Sequence, residues 1–160
     1  MKKRMFVLML VLMAAVLMLA ACGRKEETGM QIPNPWTEAE SLEAAAETAG
    51  YAFTVPASAA EAQDLTVRLM NGGEITQAEY TLEGRAVMLR KGPGEESISG
   101  VYTEYENKTT GTAGGAEVTL QGNGDTVSLA EWTADGYSFC IYCEEGLAAE
   151  DVLAMAGEMA

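Results

Sequence analysis

From Leu65 to Cys143 apolar side chains recur at every second position, and the run is cut at short intervals by glycine-bearing pairs: Gly72-Gly73, Glu83-Gly84, Gly92-Pro93-Gly94, Gly114-Gly115, Gly122-Asn123-Gly124 and Asp135-Gly136. A period of two suits a strand with one buried face, because successive Cβ atoms point to opposite sides. Glycine and its Asp, Asn or Glu neighbours at the breaks supply the backbone freedom that tight hairpins need. The pattern predicts strands over Leu65–Met70, Ile75–Leu82, Arg85–Lys91, Gly100–Glu106, Ala116–Gln121, Thr126–Thr133 and Tyr137–Cys143, with a shorter one at Tyr51–Pro56 that stops at its proline. Linked by such short connections, they make an antiparallel meander of about seven or eight strands.

A sheet that is apolar on one face needs a cover, and the ends of the chain offer two. After the extended Pro33-Asn34-Pro35-Trp36, Thr37 and Glu40 form a candidate capping box, with Ser41 a competing N-cap one turn later. The helix predicted from there to Ala49 puts Ala39, Leu42, Ala45, Ala46 and Ala49 on one face, and Gly50 can close its C-terminus. A second helix is expected from Leu147 to Glu158, its stripe being Leu147, Val152, Met155, Ala156 and Met159. Ala57 to Gln63 reads equally as a helical turn or a loop. The fold class is α+β: one sheet with an N-terminal and a C-terminal helix packed on it, a single domain over 33–160.

Met1 to Cys22 has a different character. Lys2, Lys3 and Arg4 precede the apolar run Met5 to Ala21, which is short for a bilayer span and suits a secretory signal. Leu19-Ala20-Ala21-Cys22 looks like a bacterial lipobox, with cleavage between Ala21 and Cys22 and a diacylglyceryl group on the Cys22 sulfur. Two or three acyl chains on one cysteine hold durably where one holds only marginally. Residues 22–32 are then the lipidated cysteine and a polar tether with an average reach of about 17 Å. The expected location is the outer face of the cytoplasmic membrane.

Charge and composition exclude several functions. Removing residues 1–21 leaves seven Lys+Arg against 24 Asp+Glu, a formal net charge of −17. Such a surface repels nucleic acid, and no basic stripe with stacking aromatics is present. The sequence has no histidine, which removes Ser-His-Asp and Cys-His catalysis and histidine-bearing zinc sites. No serine stands in GxSxG or begins SxxK. Paired acids such as Glu95-Glu96, Glu144-Glu145 and Glu150-Asp151 are sequence neighbours that a strand or helix directs apart. Cys140 and Cys143 mimic a redox CxxC, but in a strand they lie about 10 Å apart on opposite faces and read as structural. Neither a cofactor nor a metal is expected.

The binding candidates that remain lie in and around Arg90 to Gly100. Arg90 and Lys91 are two of the seven cations that follow the signal, and could make a positive spot for an anionic ligand or a partner's carboxylates, or simply blunt a strand edge. Ser99 belongs to the same loop. Tyr102 and Tyr105 flank a glutamate-rich stretch with Trp132 one hairpin away; the three aromatics are either core or a shallow binding face.

Several stretches carry a resemblance: Asn34-Pro35-Trp36; Ala49-Gly50-Tyr51 followed by Phe53-x-Val55-Pro56; Arg90-Lys91-x-x-Gly94-x-x-x-Ile98-Ser99-Gly100-x-Tyr102-x-x-Tyr105; Val118-x-Leu120-x-Gly122; Trp132; and Gly136-Tyr137-Ser138. Together they resemble short lipoproteins of gut-type Firmicutes that carry the domain of unknown function 4367. That family tends to have Asp before Ile-Ser-Gly, where this chain has Ser97. The resemblance implies a non-enzymatic extracytoplasmic domain, akin to sensor-like and lipoprotein-handling modules. The expectation is a monomeric, membrane-anchored binding or sensing module whose partner is a protein or a small anionic ligand. The rivals are a lipid or lipoprotein carrier and a carboxylate-dependent cell-wall enzyme.

Overall fold

The computed structural model describes residues 34–159; the signal segment with Ala21, Cys22 and the tether to Ile32 lie outside the described residues. Among the described residues no helix is long and apolar enough to cross a membrane. Eight strands form one antiparallel sheet: β1 (Trp36–Ala39), β2 (Thr66–Met70), β3 (Ile75–Leu82), β4 (Arg85–Pro93), β5 (Asn107–Ala113), β6 (Ala116–Gly122), β7 (Val127–Ala134) and β8 (Tyr137–Leu147). Their order is β1-β2-β3-β4-β8-β7-β6-β5. The meander therefore folds back once. Its first half ends at β4, residues 94–106 carry the chain to the far edge, and the second half returns until β8 pairs with β4.

Because β4 and β5 point the same way, the connection must travel the length of the sheet and four strand spacings, about 19 Å, across one face. We call residues 94–106 the strap. It occupies the stretch expected to be a strand at Gly100–Glu106; the strand forms one step later, at Asn107–Ala113. The alternation of Val101, Tyr102, Glu104 and Tyr105 is that of a segment resting on a sheet, not paired within one. Asn107–Ala113 lacks a hydrophobic alternation because it is an outer edge with most residues exposed. It meets the helix layer at Gly111, where an added Cβ would lie 2.8 Å from Leu153 Cδ2. The glycine leaves room there for the end of the Leu153 side chain.

The register assigns the two faces. Val67, Ala78, Leu89, Ile141, Ala130 and Leu120 follow one another across the strands on the inner face. Gln77, Arg90, Cys140, Glu131 and Thr119 share the outer face. Three helices cover the inner face: α1 (Leu42–Ala49), α2 (Ala57–Ala60) and α3 (Ala149–Glu158). Ala45 of α1 is buried with Val67 and Leu69, while Val152, Met155 and Ala156 of α3 join the main core with Val118, Leu89 and Ile141.

The N-terminal boundary of α1 differs from one of the two expected starts. Ser41 is the N-cap, its Oγ accepting the Ala44 N–H at 3.2 Å, and Gly50 closes the other end with φ 79°. Thr37 instead sits in β1, opposite Leu69. Pro35 favours extended backbone before it, and the free edge of β2 captures the next four residues. That same capture keeps Tyr51–Pro56 out of the sheet. The segment runs extended over the inner face with Phe53 and Val55 buried, so its alternation reports side-chain burial without backbone pairing. Ala57–Ala60 resolves the open reading as a single helical turn, whose Ala57 N–H donates to Glu158 Oε2 at 2.8 Å.

One irregularity breaks the ladder. Between Val127↔Leu147 and Leu129↔Tyr142, two steps on β7 are matched by five on β8. Gly146, with φ 77°, sits in this bulge, and a Cβ there would lie 2.5 Å from Thr126 Oγ1. Bulges of this kind bend a strand and re-aim its side chains.

Candidate functional site

The outer face and its strap gather most of the residues singled out from the sequence. Arg90 rises from the middle of β4 and is engaged through Nη1, Nε and its flat face. Its Nη1 donates to the carbonyls of Ile98 at 2.9 Å and Ser99 at 2.6 Å, its Nε donates to Gln77 Oε1 at 2.7 Å, and its guanidinium lies 5.2 Å from the Trp36 ring centroid. Burial lowers its pKa, with Cys140 and Glu79 opposing. The effect is to nail the strap to the sheet.

Lys91 goes the other way. As the next residue in a strand it projects to the inner face, where it is 7% exposed and donates from Nζ to Ala52 O at 2.7 Å. Three rings surround the amine, with centroids at 4.4 Å (Tyr137), 5.4 Å (Phe139) and 5.8 Å (Tyr51). Tyr51 in turn donates its hydroxyl to the Lys91 carbonyl at 3.0 Å and accepts from Thr76. Burial lowers the Lys91 pKa, opposed by Asp135. Arg90 and Lys91 thus do not form a joint positive spot: strand geometry separates them, and both are spent on internal carbonyls.

Ser99 is buried within the strap, sharing a hydrogen bond with Ser97 Oγ at 3.1 Å and accepting weakly from the Val101 N–H. Ser97 also bonds to Glu131 of β7, so a hydroxyl and a carboxylate hold the strap at this position. Of the two readings open for Trp132, the structure shows the core one: it is 6% exposed and stacks on Phe139 at 5.2 Å with an interplanar angle of 5°. Tyr105 is partly covered, and burial raises its pKa, Thr103 opposing. Tyr102 is 96% exposed, the one large hydrophobic side chain among the described residues left fully in water.

The cysteines fall on opposite faces, both free and both buried. Cys143 shares the inner face with Tyr137, Phe139 and Ile141, as expected. Burial pushes the Cys140 thiol far above the ordinary range, with Glu131 adding and Arg90 opposing, so it is no nucleophile. Beside the strap, Glu95, Glu96, Glu117 and Glu131 line an open recess of about 270 Å³. Among the described residues no group of three or more His, Cys, Asp or Glu is placed to hold a metal ion.

Sequence reasoning missed Trp36 as the lid over Arg90 and missed the bulge in β8. Gly146, an isolated glycine at the end of a strand-like run, was the available signal for the second. Comparison with family models, with characterised proteins and with solved structures finds no match to the chain. The site therefore has to be argued from its own geometry.

Proposed function

We propose that this chain is a bacterial lipoprotein anchored through Cys22 on the outer face of the cytoplasmic membrane, and that its domain is a non-catalytic binding or sensing module. The observation that carries the binding reading is Tyr102: a fully exposed aromatic on a strap whose backbone is fixed at Ile98 and Ser99 by a half-buried guanidinium. A rigid backbone presenting a tyrosine loses little entropy on association, and exposed aromatics of this kind dominate protein interfaces. The partner is accordingly a protein that covers the strap. With Arg90 and Lys91 used internally, an anionic ligand at that pair is no longer the favoured partner.

The rivals are less well supported. A carrier needs a large apolar cavity between sheet and helices, and Leu89, Ile141, Val118, Val152 and Met155 from the two layers fill that space. A cell-wall enzyme would use the acidic recess, where Glu131 is already bonded to Ser97.

Two measurements test the proposal. Metabolic labelling with an alkyne fatty acid should mark the wild-type chain and not Cys22→Ala; an unmarked wild type overturns the anchor. A photo-crosslinker at position 102 should give one discrete adduct in intact cells, whereas one at exposed Thr48 should not, and Tyr102→Ala should weaken the isolated pair by about 30-fold, as loss of a hot spot of about 2 kcal/mol implies. Hydrolysis of peptidoglycan fragments that disappears in Glu131→Gln would overturn the non-catalytic reading.

A further inference from the structure

The sheet is open at its centre. The β4–β8 ladder runs only from Met88↔Tyr142 to Pro93↔Tyr137. Beyond Met88, Ala86 and Arg85 keep their rungs to β3 but have none to β8, which has left through its bulge. On the inner side the gap is bridged by Arg85 Nη1, which donates to Gly146 O at 3.1 Å. Toward the outer face it remains a groove of about 280 Å³ lined by Ala86, Met88, Tyr142, Glu79, Glu144 and Glu145, among others.

The chemistry of this groove is divided. Its floor is apolar and aromatic: Met88 and Tyr142 stand opposite each other across the last rung. Burial raises the Tyr142 pKa. Its rim is anionic: Glu79 is the cross-strand neighbour of Met88, and Glu144 and Glu145 follow Tyr142 by two and three residues. The one ion pair among the described residues is Arg85–Glu83, so none of the three rim carboxylates has a cationic partner there. Glu79 accepts from Gln77 Nε2, and Glu145 faces the Cys143 thiol at 3.7 Å.

We propose that the groove where β4 and β8 part binds a small amphipathic organic cation, a primary amine on an aromatic or aliphatic body. An ammonium group would meet the rim carboxylates in charge-assisted hydrogen bonds and the Tyr142 face through its quadrupole, while the body lies on Met88 and Ala86. The volume is at the small end for ligand sites, which fits a compound of about ten non-hydrogen atoms. The site involves neither Tyr102 nor Cys22, so its fate is separate from that of the function proposed above.

The test uses the full chain purified in detergent, titrated with phenethylamine and with 3-phenylpropionate, a probe of similar body and opposite charge. Phenethylamine should give saturable amide shifts at Met88, Tyr142 and Glu144, and 3-phenylpropionate none. Glu79→Gln with Glu144→Gln should weaken binding at least tenfold, and Tyr142→Leu about fivefold, with folding checked by thermal melts. Glu95→Gln with Glu96→Gln, which removes two charges at the other acidic recess, should change nothing. Equal binding of the anion, equal loss in the recess variant, or no saturable shift would overturn the proposal. A lysine-bearing heptapeptide that binds tenfold more tightly than phenethylamine would overturn the small-amine assignment in favour of a protein side chain.

Discussion

Arg90 and Lys91 show how much one rotation of the backbone decides. Adjacent in sequence and alike in charge, they end on opposite sides of the sheet, each donating to main-chain carbonyls. The alternation that sends paired glutamates apart in a strand applies equally to paired cations, so this separation was legible from the residues. The partners were not, because Ala52, Ile98 and Ser99 come from segments whose placement no local pattern specifies. Arg90→Ala leaves two strap carbonyls without their donor and should cost about 2–4 kcal/mol. Loss of amide protection at Gly100 and Val101, seen by hydrogen exchange, would localise the damage to the strap. Arg90→Lys should recover little of it, since an ammonium cannot reproduce the fork that reaches Gln77 and both carbonyls. The buried thiols set the alkaline limit. Burial raises the pKa of Cys140 and Cys143 above the ordinary 9.0, so their contribution to stability is complete below that pH and is lost as pH rises beyond it. The slope from Cys140 approaches about 1.4 kcal/mol per pH unit, and Cys143 adds in the same sense. Lys91, whose pKa is lowered, acts in the opposite sense, gaining stability as pH rises through its folded value toward 10.5. Two thiols against one amine leave a net fall above pH 9, and Cys140→Ala should flatten it in denaturant midpoints measured from pH 7 to 10.

At the level of elements, the strands that alternate and end in glycine pairs were readable: Ile75–Leu82 has the bounds expected, and Arg85–Pro93 and Ala116–Gly122 differ only at one end. The errors share a cause. Tyr51–Pro56 and Gly100–Glu106 alternate because they lie on a face of the sheet, and contact with a face imposes the same period as membership of it. Asn107–Ala113 escaped notice for the converse reason: an exposed edge strand need not alternate at all, and its one demand on the sequence is the missing side chain at position 111. Gly111→Ala should therefore cost about 1–2 kcal/mol by pressing on Leu153. In a double-mutant cycle with Leu153→Ala the two losses should be less than additive; strict additivity would show that the glycine serves the backbone and not the packing.

Over the whole molecule, the return of β8 to β4 makes the two halves of the meander depend on each other. Val87 and Leu89 are buried by contributions from both halves and from α3. A chain truncated after Gly94 should show no cooperative unfolding transition, and the intact chain should show a single one by circular dichroism and by tyrosine and tryptophan fluorescence. The pairing of residues some fifty positions apart along the sequence also places folding in the millisecond-to-second range typical of sheets with non-local contacts. That antiparallel sheet and helix cover would combine in an α+β domain could be read from periods and turns. The fold-back could not, since strand order depends on which edges compete for which partners once the chain is compact.

The position of β1 has a mechanical consequence. If the chain is moored at Cys22 as proposed, tension enters the domain just before Trp36, and the first structure it meets is an outermost strand of four residues. Peeling it away removes the indole that roofs Arg90 while the helices and inner ladder stay intact. Load would thus be registered first at the nail of the strap, giving the domain a part that yields early and can snap back when the pull is released.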